Sequence, residues 1–456
     1  MKHIKHTLVL FLLILTTTAI AQETTTYNVT AGNLSSALEG TSLKDINNIK
    51  LTGTLNAADF FFIRDNIKDI KSIDMSEAKI EACEIDGTLY AANEIPANAF
   101  YVPYASTGMT RLNTFYFPTT IESIGENAFF QAIVLRTTNM GELPSLKTIK
   151  SAAISRCTRL RNIEIPASVE EIGAAAFAYN PQLDGVVIAK GSQLSILGDN
   201  AFNGCAILST LDFSDTKLIE VGAQAFNACT QLNNVLLPST VESIGDEAFM
   251  YTAISNIDWS HLHKLGTIEG SMFYETTSLK SVTLPHSVEE IKASAFANCT
   301  ALTTISLPYN LTAIGDWTFA NCRALRSITC PSPIVPTLGY QAFQQVNTAN
   351  VEVTVLESIL PQYESDVVWS TFILKGNPFT NIDATEQHAL QLRRTSNGIE
   401  ATAATTIKTI TLYNYSGHIL NKLYINDTQA TVELCGNTHC IMHIGYSNGS
   451  SEVIKL

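Results

Sequence analysis

Charge is scarce in this sequence. Only 15% of its 456 residues are Asp, Glu, Lys or Arg, and the basic share is the smaller, 28 against 42 acids. A net charge of -14 repels phosphate backbones and anionic membranes, and no basic stripe is expected to offset it locally. Nucleic acid is therefore not an expected partner. Long hydrophobic runs are missing too: the stretch from Leu8 to Leu15 is too short to span a bilayer comfortably, and no run of about 20 apolar residues follows. No transmembrane span is expected. Catalytic signatures are also absent, with no nucleophile elbow, phosphate-cradling glycine loop or His-Glu-x-x-His helix. The expectation is a chain without enzymatic activity and without a cofactor or bound metal.

What the chain does carry begins with an address. Lys2, His3, Lys5 and His6 precede the apolar run, which ends in Ala19-Ile20-Ala21. This arrangement reads as a signal peptide over residues 1–21, and therefore as a secreted protein. No cysteine stands at the cleavage point, which argues against a lipid anchor of the bacterial lipoprotein type. Hydrophobic residues make up 46%, so a large core is available beneath a surface of uncharged Ser, Thr, Asn and Gln.

Internal repetition decides the fold class. Phe100, Phe129, Ile154, Phe177, Phe202, Phe226, Phe249, Phe273, Phe296, Phe319 and Phe343 form an anchor column whose intervals, after a first of 29, are all 23 to 25. Six residues after most anchors comes a Leu such as Leu183, Leu208, Leu232, Leu279 or Leu302, then apolar residues three and five further on. That is the edge of a strand followed by period-two burial. A unit this short cannot bury its own apolar face, so neighbours must stack into a repeat solenoid with one short parallel strand per turn. Glycines before the anchor, such as Gly125, Gly173, Gly222, Gly245 and Gly315, are expected in the tight turn to the opposite side of the coil. Residues 28–92 keep apolar patterning in Ile49-Lys50-Leu51, Phe60-Phe61-Phe62 and Ile70 to Met75, and read as degenerate starting coils. At the other end Val353, Val355, Tyr363, Trp369, Phe372 and Ile373 can cover the last rung before Gly376-Asn377-Pro378 breaks the chain. The expected domains are a cap over 22–94, the solenoid over 95–376 and a small all-β unit over 377–456.

The repeat Ile-Gly-x-x-Ala-Phe-x-x-Cys-x-x-Leu-x-x-Ile-x-Leu-Pro, seen from Ser287 to Pro308, resembles that of the BspA-like leucine-rich-repeat family of bacterial surface proteins. The resemblance covers about residues 43–374. It implies a right-handed leucine-rich-repeat coil, a place at the bacterial cell surface, and a role in adhesion to an extracellular protein or glycan. The last 60 residues are more loosely similar to sorting domains of the type IX secretion route, in Ile410 to Leu420 and in Val453-Ile454-Lys455-Leu456. His439-Cys440-Ile441 stands where those tails usually carry Gly-Ile-Tyr. A plain capping unit remains the alternative.

Few residues outside the spine invite a chemical role. Cys157, Cys205, Cys229, Cys299 and Cys322 all follow the anchor by three, which makes them small buried core residues, although an oxidising compartment permits a bridge between neighbouring coils. His261 and His263 share one face of an extended segment with no third ligand near, and read as a solvent-facing pair. Cys435, His439, Cys440 and His443 offer ligand types suited to zinc at spacings that match no common finger. Glu170-Glu171 and Glu289-Glu290 recur at one repeat position, as a solvated edge does. The outward strand positions are small and polar almost throughout, and Tyr116, Leu236 and Trp259 are their bulky exceptions. Tyr251, Trp259, His261, His263 and Tyr274 cluster between about 250 and 275. A ligand-binding face built from Asn234, Asp258, Trp259 and Lys280 is therefore expected, with the chain acting as a monomer.

Overall fold

The computed structural model of the chain describes residues 24–377, 391–395, 398–413, 419–433, 441–446 and 451–455. The expected signal peptide and most of the Cys435 to His443 cluster lie outside them. The chain divides into two compact units between Pro378 and Phe379.

In the first unit each coil carries two short strands, because the repeat has two apolar spacings separated by turns. The longer strand follows the anchor, as in Ser281–Thr283, Thr304–Ser306 and Ser327–Cys330, which pair in parallel register at Ser281↔Thr304 and Thr304↔Ser327. A second strand of two residues precedes the anchor, as in Glu171–Ile172, Ile196–Leu197 and Glu220–Val221. The solenoid thus has two parallel ladders, one more than the single strand per turn expected from the sequence. The shorter strands escape a periodicity reading because two residues cannot display a period.

Every anchor is buried. From Phe273 to Phe343 the rings follow one another at centroid distances of 5.3, 5.5 and 5.2 Å, with planes within 12° of parallel. Parallel stacking arises because each Phe sits at the same place in an identical turn. That turn is tight: from Phe129 onward the residues two before and two after the anchor adopt left-handed backbone, for instance Ala175 (φ 53°) and Tyr179 (φ 56°) around Phe177. The Ile-Gly glycines have no positive φ and serve close approach between coils instead. A Cβ on Gly222 would lie 2.4 Å from Asp199 N, and one on Gly245 2.5 Å from Ala223 N.

The cysteine column proves to be a hydrogen-bonding column. Cys205 Sγ donates to Phe177 O at 3.3 Å, and Cys229, Cys299 and Cys322 donate to Phe202, Phe273 and Phe296 O at 3.1 Å each. Two replacements of cysteine keep the bond: Thr276 Oγ1 donates to Phe249 O at 3.0 Å, and Asn180 Nδ2 to Ile154 O at 2.9 Å. The donor adds a second bond to a buried carbonyl that already accepts a backbone N–H within its own coil, as Phe202 O does from Cys205 and Phe296 O from Cys299, and so ties one coil to the next. These thiols are free, and burial pushes Cys157, Cys205 and Cys322 up to about 12, so they remain protonated donors.

At the N-terminal end strands Thr25–Val29, Asn48–Leu55 and Ser72–Asp74 continue the longer-strand sheet in parallel. Phe60-Phe61-Phe62, read as part of a degenerate coil, instead lies in the helix Ala57–Asn66. Asn56 and Asp59 form a capping box that starts this helix, and Phe60 packs 5.9 Å from the ring of Phe100. Asp59 is buried and also accepts the N–H groups of Gly32 at 2.8 Å and Leu34 at 2.9 Å, which ties the first segment to the helix. At the far end Trp369 packs edge-on against Phe343 at 5.5 Å, and Tyr363 Oη donates to Cys330 Sγ at 3.2 Å. Val353, Val355, Tyr363, Trp369 and Phe372 are buried, whereas Ile373 is 46% exposed.

The second unit is a five-stranded antiparallel sheet formed by Gln391–Thr395, Gly398–Tyr413, Ile419–Glu433, Ile441–Tyr446 and Ser451–Lys455. Ala401, Ile407, Ile410, Leu412, Val432, Met442 and Ile444 form its core. Among all described residues no helix is long and apolar enough to cross a membrane.

Candidate ligand-binding face

Period-two alternation turns two residues of each longer strand outward, and in-register stacking gathers them into two columns. The first contains Asn256, Ser281, Thr304 and Ser327; the second contains Asp258, Thr283, Ser306 and Thr329. Ser281 Oγ donates to Asn256 Oδ1 at 2.8 Å, a cross-strand bond within the first column. Strands Thr210–Asp212 and Asn234–Leu236 pair separately from these, so the ladder is interrupted between Leu236 and Asn256. Before the interruption the second column changes character. Val187 is 58% exposed, Leu236 is 45% exposed, and Asp212 pairs opposite Leu236.

The chain matches the family description "BspA type Leucine rich repeat region" over residues 33–142, 93–216, 147–267 and 259–364. It belongs to the BspA-type leucine-rich-repeat family. A leucine-rich repeat protein from Bacteroides ovatus is 24% identical, with 65% of this chain and 90% of that one covered and a TM-score of 0.36. Pneumococcal vaccine antigen PcpA is 20% identical over 61% of this chain and 71% of its own, with a TM-score of 0.40. A leucine rich cell surface protein from Faecalibacterium prausnitzii is 19% identical over 65% and 85%, with a TM-score of 0.34. No curated protein matches significantly.

In this leucine-rich-repeat protein three of the four expected site residues are exposed: Asn234, Asp258 and Lys280. Lys280 lies one coil from Asp258, with its N–H donated to Ser255 O at 2.7 Å. Asn234 stands across the interruption. Trp259 corrects the expectation that it faces outward. It is only 6% exposed, between Phe249 at 5.7 Å and Phe273 at 5.3 Å. The cause is a shortened coil. Leu279, Val282 and Leu284 follow Phe273 by six, nine and eleven residues, whereas Ile254, Ile257 and Trp259 follow Phe249 by five, eight and ten. A slip of one residue exchanges the two faces of a strand, and Trp259 thereby takes the Leu237 and Leu284 position.

The aromatic cluster around it does not converge on the strands either. Tyr251 occupies a left-handed turn (φ 60°) and meets Tyr274 edge-on at 6.2 Å, on the anchor side of the coil. His261 Nε2 is 3.1 Å from Leu237 O, while His263 is exposed. Val187 went unnoticed in the sequence because its coil reads Gly-Val-Val-Ile, four residues without a polar position to mark the outward side.

One charge expectation also fails. Residues 111–161 hold Arg111, Arg136, Lys147, Lys150, Arg156, Arg159 and Arg161 against only Glu122, Glu126 and Glu142. A basic region therefore interrupts the acidic chain.

Proposed function

We propose that this chain is a non-catalytic binding module of the cell exterior, and that an extracellular protein or glycan docks on the outward strand face around Asn234, Leu236, Asp258 and Lys280. Leu236 carries the reading. It is a large apolar side chain, 45% exposed on a rigid strand, with an amide and a carboxylate in flanking positions. Binding hot spots combine a bulky anchor with polar groups that orient it. Leu236 replaces Trp259 in that part. Export through the N-terminal segment, with the C-terminal unit serving sorting or attachment, completes the proposal.

The test is capture of immobilised matrix proteins and glycans by the purified chain, followed by Leu236→Ala. The expected result is at least one captured ligand whose affinity drops several-fold in the variant while the melting temperature stays unchanged. Capture of nothing from the panel favours a structural spacer of the surface layer.

A further inference from the structure

The basic region has a focus. Arg136 and Arg161 occupy equivalent positions in adjacent coils, seven residues after Phe129 and Ile154. Thr158 Oγ1 donates to Ile133 O at 3.1 Å, which fixes that register three residues before each arginine. The two arginines thus stand in adjacent coils, although the strands that follow them, Thr137–Thr138 and Asn162–Ile165, belong to separate sheets. Both side chains are exposed, as is that of Arg159, two residues before Arg161. Arg156 in the same coil is engaged, its guanidinium 4.7 Å from the Tyr179 ring and 5.9 Å from that of Phe130. Arg111 and Lys150 have carboxylate partners in Asp69 and Glu94. Among the described residues no carboxylate pairs with Arg136, Arg159 or Arg161, although acids outnumber bases 42 to 28 in the chain.

Like charges stacked one coil apart weaken the structure that holds them, so their arrangement serves no stability purpose. Paired guanidinium forks suit carboxylates, which they bind in two-pronged geometry. The patch is short along the solenoid axis. Asn113 precedes it and Asp184 follows it at the same repeat position, and Glu164 stands exposed beside it. A long anionic polymer would leave the arginines after two coils and meet these carboxylates. Beside the patch Ile133 is 38% exposed, an apolar foothold of the kind a peptide side chain uses.

We propose that Arg136, Arg159 and Arg161 form a docking site for a short acidic segment of a partner protein. The site is separate from the strand face around Leu236 and does not depend on that assignment.

The probe is a fluorescein-labelled octaglutamate peptide, with octaglutamine as the neutral control and heparin fragments of increasing length as competitors. The full chain is expected to bind octaglutamate and not octaglutamine, with affinity that falls as salt rises. The double variant Arg136→Gln/Arg161→Gln should bind about tenfold more weakly, while Leu236→Ala leaves this binding unchanged. Its melting temperature should equal or exceed that of the natural chain, because a repulsion has been removed. Absence of octaglutamate binding at low salt, equal binding by the double variant, or a lowered melting temperature would each overturn the proposal. Heparin that competes more strongly with every added sugar would also overturn it, in favour of an anionic polysaccharide.

Discussion

Trp259→Ala tests the corrected register most directly. The side chain is 6% exposed and has ring partners on both sides, Phe249 and Phe273. Removal of a buried tryptophan loses its transfer free energy and leaves a cavity, about 3 to 5 kcal/mol together. Each aromatic pair contributes about 0.5 to 1.5 kcal/mol within that sum. Leu237 and Leu284 occupy the same place in neighbouring coils and are also buried. Trp259→Leu should therefore lose less than Trp259→Ala, since it restores the column residue and gives up the two ring contacts and only part of the volume. Stability in a solenoid is a sum over neighbouring coils, so the damage is local first. Hydrogen exchange should show the amides of Phe249, Ile257 and Phe273 losing protection in Trp259→Ala before those of Phe319. Urea midpoints ordered natural, Leu, Ala are expected. An Ala variant with an unchanged midpoint would refute the burial argument, and a Leu variant as unstable as Ala would refute the register argument.

Two further outcomes follow from the same geometry. Cys205 is held up to about 12 by burial, against 9.0 for an ordinary thiol, so the unfolded chain releases this proton first as pH rises. The stability it supports is complete below about pH 9 and declines toward pH 12; Cys205→Ala should reduce that decline by about 1.4 kcal/mol per pH unit, read from urea titrations between pH 9 and 11. Asp59 accepts the N–H groups of Gly32, Leu34 and Asn56, so Asp59→Ala leaves the buried Leu34 donor unpaired at about 1 to 3 kcal/mol, and the part-buried donors of Gly32 and Asn56 at less. Proteolysis within residues 24–56 should accelerate in that variant, and an unchanged cleavage rate would show that the first segment is held by its apolar contacts alone.

The sequence by itself determined the spine. A residue that recurs every 23 to 25 positions has only one way to be buried, by stacking on its own copies, so the anchors and the strand after each were legible from spacing, and the closing Trp369 and Phe372 from their bulk just past the last anchor. The cysteines were legible as core residues for the same reason. Their donor role was not, because the carbonyl each one reaches belongs to the coil before it. The tertiary structure decided whatever depends on one coil seen against the next. Trp259 looked outward when counted from Phe249, yet the missing residue in its coil changes the face, and only the neighbouring leucines reveal which positions truly align. The glycines kept their place in the motif and changed their reason, from a turn to the close passage of one backbone over another. Arg136 and Arg161 are 25 residues apart in the chain and one coil apart in space. Periodicity fixes what faces inward because burial is shared by all copies, whereas function resides in the exceptions, and an exception gains its meaning only from the coils beside it.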